Sequence, residues 1–148
     1  MKRREGSDLH WRKLERLYTS ARCNEYYRPR IAIGEGTCEI RIAVREDFFH
    51  AADAVHGSVY FKALDDAAFF AANSGIEDVL VLTASYQISF FRPIDAGELI
   101  ARGTVVHPGR QLVFAEAVLE DEAGRTLARG SGSFAKSRIP LRPEIGYV

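Results

Sequence analysis

Apolar residues recur at two spacings along this chain, and each change of spacing marks an element. From Asp8 to about Ala21, residues Leu9, Leu14, Leu17, Tyr18 and Ala21 fall roughly on one face of a helix, which Ser7 or Asp8 is placed to cap. Arg28-Pro29 ends that region. Between Thr37 and Arg45 the pattern alternates, with Ile40, Ile42 and Val44 on one side and Glu39, Arg41 and Arg45 on the other, which predicts a half-buried strand. A loop with the pair Phe48-Phe49 leads to the most apolar stretch, Gly57 to Ser74, which predicts a helix closed by Gly75. Five alanines and Val59, Tyr60, Phe61, Leu64, Phe69 and Phe70 leave it no broad polar face, so it is expected to be wrapped by other elements.

The rest of the chain is strand-like: Val79–Phe91, Glu98–His107, Gln111–Glu120 and Arg125–Lys136. The turns Pro108-Gly109-Arg110 and Asp121-Glu122-Ala123-Gly124 make the last strands an antiparallel meander. No assignment follows for the tail after Ser137. Helix, strand, long apolar helix and four strands together give an α+β single domain over residues 1–148, with its core at about 30–137. In that arrangement an antiparallel sheet wraps around the long central helix.

Composition changes this picture little. The 148 residues suit one domain, and no apolar run approaches the roughly 18–20 residues of a membrane span. The basic first residues lack a signal-peptide core, so a cytoplasmic protein is expected. Cys23 and Cys38 have no metal or redox spacing and read as two buried or semi-buried thiols, and no metal site is expected. Net charge is zero, yet residues 31–100 carry four Lys/Arg against eleven Asp/Glu. An acidic middle argues against nucleic acid as a partner.

The run His56-Gly57-Ser58-Val59-Tyr60-Phe61-Lys62-Ala63-Leu64-Asp65 resembles the signature of hotdog-fold thioesterases of the PaaI-like type: His-Gly-Gly, six residues, then Asp. Thr83-Ala84-Ser85-Tyr86-Gln87-Ile88-Ser89-Phe90-Phe91-Arg92-Pro93 resembles the strand that follows in that family, and Gly109-Arg110 and Gly124-Arg125 fall at its two hairpins. The likeness spans about residues 37–136. It implies a hotdog fold with an N-terminal helix, hydrolysis of an acyl-CoA thioester to acid and CoA, and no cofactor, CoA being part of the substrate. It also implies dimers as the minimum unit, with tetramers common. Two positions depart from the pattern. Ser58 replaces the second glycine, and His50 stands where the family often carries Asn, which changes hydrogen bonding and pH response if that position touches the thioester.

Thioester hydrolysis needs an oxyanion stabiliser and a base or nucleophile. The backbone N–H of Gly57, at a helix N-terminus and without a Cβ in the way, suits the first, although a tight turn alone would also explain the glycine. Asp65 suits the second, as general base on water or as nucleophile forming an anhydride; the residues leave both routes open. Its helical neighbours Phe61, Ala68, Phe69 and Ala72 would partly desolvate it and raise its pKa. Asp66 is better explained as a structural partner of Lys62.

By the resemblance, Thr83 would hold water or orient Asp65, and His56 would orient the loop and helix start. Ser58, Phe61, Ser85, Arg92, His107, Arg110 and Lys136 are the candidates for substrate and CoA contact, and Phe48, Phe49, Phe61 and Phe69 for an acyl pocket. Gly57 and Asp65 are eight residues apart, about 12 Å along a helix, so one carbonyl cannot touch both. The pair predicts an active site shared across a homodimer interface. The alternatives are a hotdog protein that binds an acyl or aromatic ligand, or serves a structural role, without turnover, and a hotdog dehydratase or hydratase.

Overall fold

The computed structural model describes residues 5–148. Helices α1 (Glu5–Ser20) and α2 (Asn24–Tyr27) precede strands β1 (Arg30–Gly34) and β2 (Thr37–Ala43). Helix α3 (Gly57–Asn73) follows, then β3 (Val79–Phe90), β4 (Glu98–Pro108), β5 (Leu112–Glu120) and β6 (Thr126–Pro140). The six strands form one antiparallel sheet in the order β1-β2-β4-β5-β6-β3. This is the hotdog fold: α3 touches every strand, β4, β5 and β2 most extensively.

The alanines of α3 explain how closely the sheet wraps it. Ala63, Ala67, Ala68 and Ala71 are fully buried, and small side chains let the helix backbone approach the strands. At the closest point Gly103 of β4 lies under α3, where a Cβ would stand 2.3 Å from the carbonyl oxygen of Ala67. Alternation on β5 gives the same reading from the sheet side: Val113, Ala115, Ala117 and Leu119 are buried, while Phe114 and Glu116 face outward.

Several expectations change. Six strands form rather than five, because Arg30–Gly34 pairs with β2 through Ile31↔Ile40 and Ile33↔Cys38. The meander holds for β4-β5-β6, but β3 leaves sequence order and lies beyond β6 as an edge strand. Ser7 and Asp8 do not cap α1, which is already helical at Glu5. Gly75 does not close α3 in a left-handed turn. Instead the last carbonyls of α3 find side-chain donors: His10 Nε2 lies 3.0 Å from the Asn73 oxygen, and Trp11 Nε1 donates to Ser74 at 3.1 Å. The buried Asn73 side chain ties this corner to β3 by accepting from the Val81 amide at 2.8 Å. The tail, which carried no assignment, is ordered: β6 runs on to Pro140, and Tyr147 returns to His10 at 2.8 Å. Cys38 is buried as expected, whereas Cys23 is exposed. Among the described residues no helix is long and apolar enough to cross a membrane, and no His/Cys/Asp/Glu group is placed to hold a metal ion.

Candidate active site

Helix α3 and strand β3 run in opposite directions side by side, and their pairings set out the chemistry along one edge. Tyr60 at the start of α3 packs on Phe90 with ring centroids 5.6 Å apart, Phe61 on Tyr86 at 5.7 Å, and Asp65 accepts from the Thr83 hydroxyl at 2.9 Å. Gly57 and Asp65 therefore occupy opposite ends of this edge.

At the Gly57 end, His56 caps α3 through its side chain: Nδ1 accepts from the Ser58 amide at 3.0 Å and lies 2.8 Å from the Ser58 hydroxyl. Ser58 is thus part of the cap that starts the helix. The Gly57 amide belongs to the first turn, where amides have no intrahelical acceptor. A Cβ on Gly57 would lie 3.2 Å from the exposed Phe90 ring, a tight contact that the ring relieves by giving a few tenths of an ångström. His50 also presents Nε2, because its Nδ1 accepts from the Ala52 amide at 3.0 Å. A groove of about 330 Å³ brings His50 together with Gly57, Tyr60, Phe90, Phe91 and Arg92.

At the other end, Asp65 is half-buried. Burial pushes its pKa up to about 6, the Thr83 hydrogen bond and Lys62 pull it back, and neighbouring Asp66 adds to the rise. Asp66 is the more enclosed of the pair, and burial raises its pKa as well. Its Oδ2 pairs with Lys62 at 2.7 Å and accepts from Tyr18 at 2.6 Å. This leaves two adjacent carboxylates with different surroundings. One is locked into an ion pair, and the other is held by a single hydroxyl at a half-exposed surface.

Other candidates are dispersed. A bulge between Thr83 and Ser85 reverses the side-chain alternation, so Ser85 points to the outer face and meets Ser133 at 2.9 Å, away from Asp65. His107 and Arg110 lie at the β4–β5 hairpin, and Lys136 lies at the same end, its amide donating to Gln111. Arg92 sits beyond the far end of β3, roughly 35 Å along the strand from Val81, the residue that pairs with Lys136. These four side chains cannot grip one CoA within a single protomer. Phe48 is core, stacked near Tyr27, while Phe69 lines a cavity beside Asp65.

Sequence reasoning missed Tyr86. The bulge turns it inward, its ring rests on Gly130 and Gly132 (a Cβ on either would lie within 2.5 Å of it), and its buried hydroxyl has no partner among the described residues. The cross-strand glycines were its only sequence signal.

Comparison with known proteins agrees with this architecture. The family model described as thioesterase superfamily matches residues 53–128. Among solved structures, the PaaI protein from the phenylacetic acid degradation operon of E. coli superposes with a TM-score of 0.82 at 21% identity, covering 90% of this chain and 97% of that one. A thioesterase from Haemophilus influenzae gives 0.75 at 18% identity over 81% and 85% of the two chains. A conserved protein from Pseudomonas aeruginosa gives 0.74 at 23% over 79% and 94%.

Proposed function

The chain belongs to the thioesterase superfamily, a family of thioester hydrolases, and we propose that it hydrolyses acyl-CoA esters at sites shared between two copies of itself. The observation that carries this reading is the Asp65 carboxylate, half-buried, held by Thr83 and raised to a pKa of about 6. Such a group is ionised at neutral pH yet basic enough to accept a proton in the transition state. As base it takes a proton from water, the hydroxide adds to the thioester carbon, and the C–S bond breaks to release CoA thiol and the free acid. As nucleophile it adds directly, expelling CoA and leaving an anhydride that water opens. Both routes need the ionised form.

The oxyanion needs a donor that Asp65's own subunit does not place beside it. Strand β3 is a sheet edge of 12 residues whose far side pairs with no other strand among the described residues, with exposed Leu82, Phe90 and Phe91 on or just beyond it. Pairing two such edges antiparallel about a two-fold axis at Gln87, with the bulge at Ala84 taking up one residue, sets Thr83 opposite Phe90 of the partner subunit. Asp65 stands beside Thr83 and Gly57 beside Phe90, so each Asp65 then meets the partner subunit's Gly57. Its unpaired amide at the helix N-terminus supplies the oxyanion donor. The partner subunit's His50 and Arg92 share the groove with that amide and would receive CoA. On this reading no cofactor is required and the reaction is cytoplasmic, a setting that the free thiols of Cys23 and Cys38 suit.

The test is thiol release from acyl-CoA esters with Asp65→Asn alongside. The variant is expected to lose at least about a hundredfold in kcat. Full activity in it would remove Asp65 from the mechanism, and no turnover by the unaltered protein would remove the function.

A further inference from the structure

Beside Asp65 a cavity of about 190 Å³ opens between α3 and the N-terminal helices. Its apolar walls are Phe69 and Phe70 of α3, Leu17 of α1, Ala21 just beyond it, and Leu80 of β3. On this wall Asp66 carries an ion pair with Lys62 and accepts from Tyr18, both at Oδ2. Asp65 differs: its Oδ1 accepts from Thr83, and among the described residues no other hydrogen bond reaches its carboxylate. The space therefore joins one available carboxylate oxygen to an apolar chamber.

Behind Leu17, Ala21 and Leu80 lies a second hollow of about 460 Å³, bounded on its far side by Ile139 and Ile145. The same three side chains line both spaces. They are the partition between them.

We propose that the 190 Å³ cavity receives the acyl group of the substrate and that Leu17, Ala21 and Leu80 set the longest acyl group it accepts. The inference rests on the thioesterase reading, from which it takes Asp65 as the group facing the scissile carbonyl. An apolar cavity of about 150 Å³ holds a benzene ring. The space here takes a ring and one or two further carbons. Arylacetyl groups and aliphatic acyl groups of about six to eight carbons fit, and a straight dodecanoyl chain meets the partition. Each methylene denied burial forfeits roughly fourfold in affinity. Leu17 and Ala21 lie outside residues 53–128, so the length limit is set largely by the N-terminal segment and not by the stretch that matches the family.

The test measures calorimetric binding of the thioethers S-hexyl-CoA and S-dodecyl-CoA to the full chain, beside turnover of hexanoyl-, phenylacetyl- and dodecanoyl-CoA. The unaltered protein is expected to bind S-hexyl-CoA at least about tenfold more tightly than S-dodecyl-CoA. Leu80→Ala joins the two hollows and should abolish that preference, whereas Ala21→Leu fills the cavity and should weaken S-hexyl-CoA about tenfold. If Leu80→Ala does not fold, Ala21→Leu decides alone. Unchanged preference in the folded variants overturns the cavity assignment, and continued turnover would then leave the enzyme reading intact. Binding that follows the partition without turnover of any ester supports the cavity and overturns the enzyme reading.

Discussion

The Asp65 carboxylate is ionised at neutral pH in surroundings that resist its charge, and that conflict has measurable consequences. Activity needs the ionised form, so kcat/KM is expected to fall about tenfold per pH unit below about pH 6. Thr83→Val removes the hydrogen bond that favours the charge and should move this acid limb upward by as much as about one unit. A flat profile in either protein would argue against Asp65 as the titrating group. The same burial costs stability. The folded pKa is about 6 against 3.8 for the free group, so the folded state binds more protons between those values and stability falls as pH rises through them. Asp65→Asn should therefore raise stability to urea at pH 8 by about 1 kcal/mol, screening at this half-exposed site trimming the full shift, and the gain should vanish below about pH 3.5. The desolvation of Asp65 was legible in the apolar neighbours one helical turn away. The inward turn of Tyr86 and the outward turn of Ser85 were not, because a one-residue bulge inverts every side chain after it and leaves no mark on local hydropathy.

Among the elements, α3 was readable almost to its ends, since an apolar residue on every face admits little but a wrapped helix. Its termination was misread, because the donors that satisfy its last carbonyls come from His10 and Trp11, more than sixty residues earlier. Strand β1 was missed for a similar reason. Five residues beside Arg28-Pro29 carry too weak an alternation, and their strand identity comes from pairing with β2. The contact between α3 and β4 at Gly103 depends on having no side chain at all. Gly103→Ala would drive a methyl into the backbone of Ala67 and Ala68. The expected loss is about 3 kcal/mol, or roughly 6–12 °C in Tm by differential scanning calorimetry. A loss under about 1 kcal/mol would mean that α3 can slide off the sheet at little cost.

On the scale of the whole molecule, the long free edge of β3 and the division of the reacting groups make one argument. Each subunit supplies Asp65 to one site and Gly57 to the other, so the two losses should complement each other when they lie on different chains. Gly57→Pro deletes the amide donor and asks the exposed Phe90 ring to give by a few tenths of an ångström, but leaves the helix backbone in place, because proline is accepted at the first helical position and His56 already holds the extended backbone that must precede it. Homodimers of Gly57→Pro or of Asp65→Asn lack a necessary group at both sites and should be nearly inactive. Mixed and exchanged at equal concentration, half the dimers become mixed, and each of these has one site with both groups and one with neither. Activity should then return to about a quarter of the unaltered level. Mixtures no more active than their components would place Gly57 and Asp65 in sites that do not cross the interface.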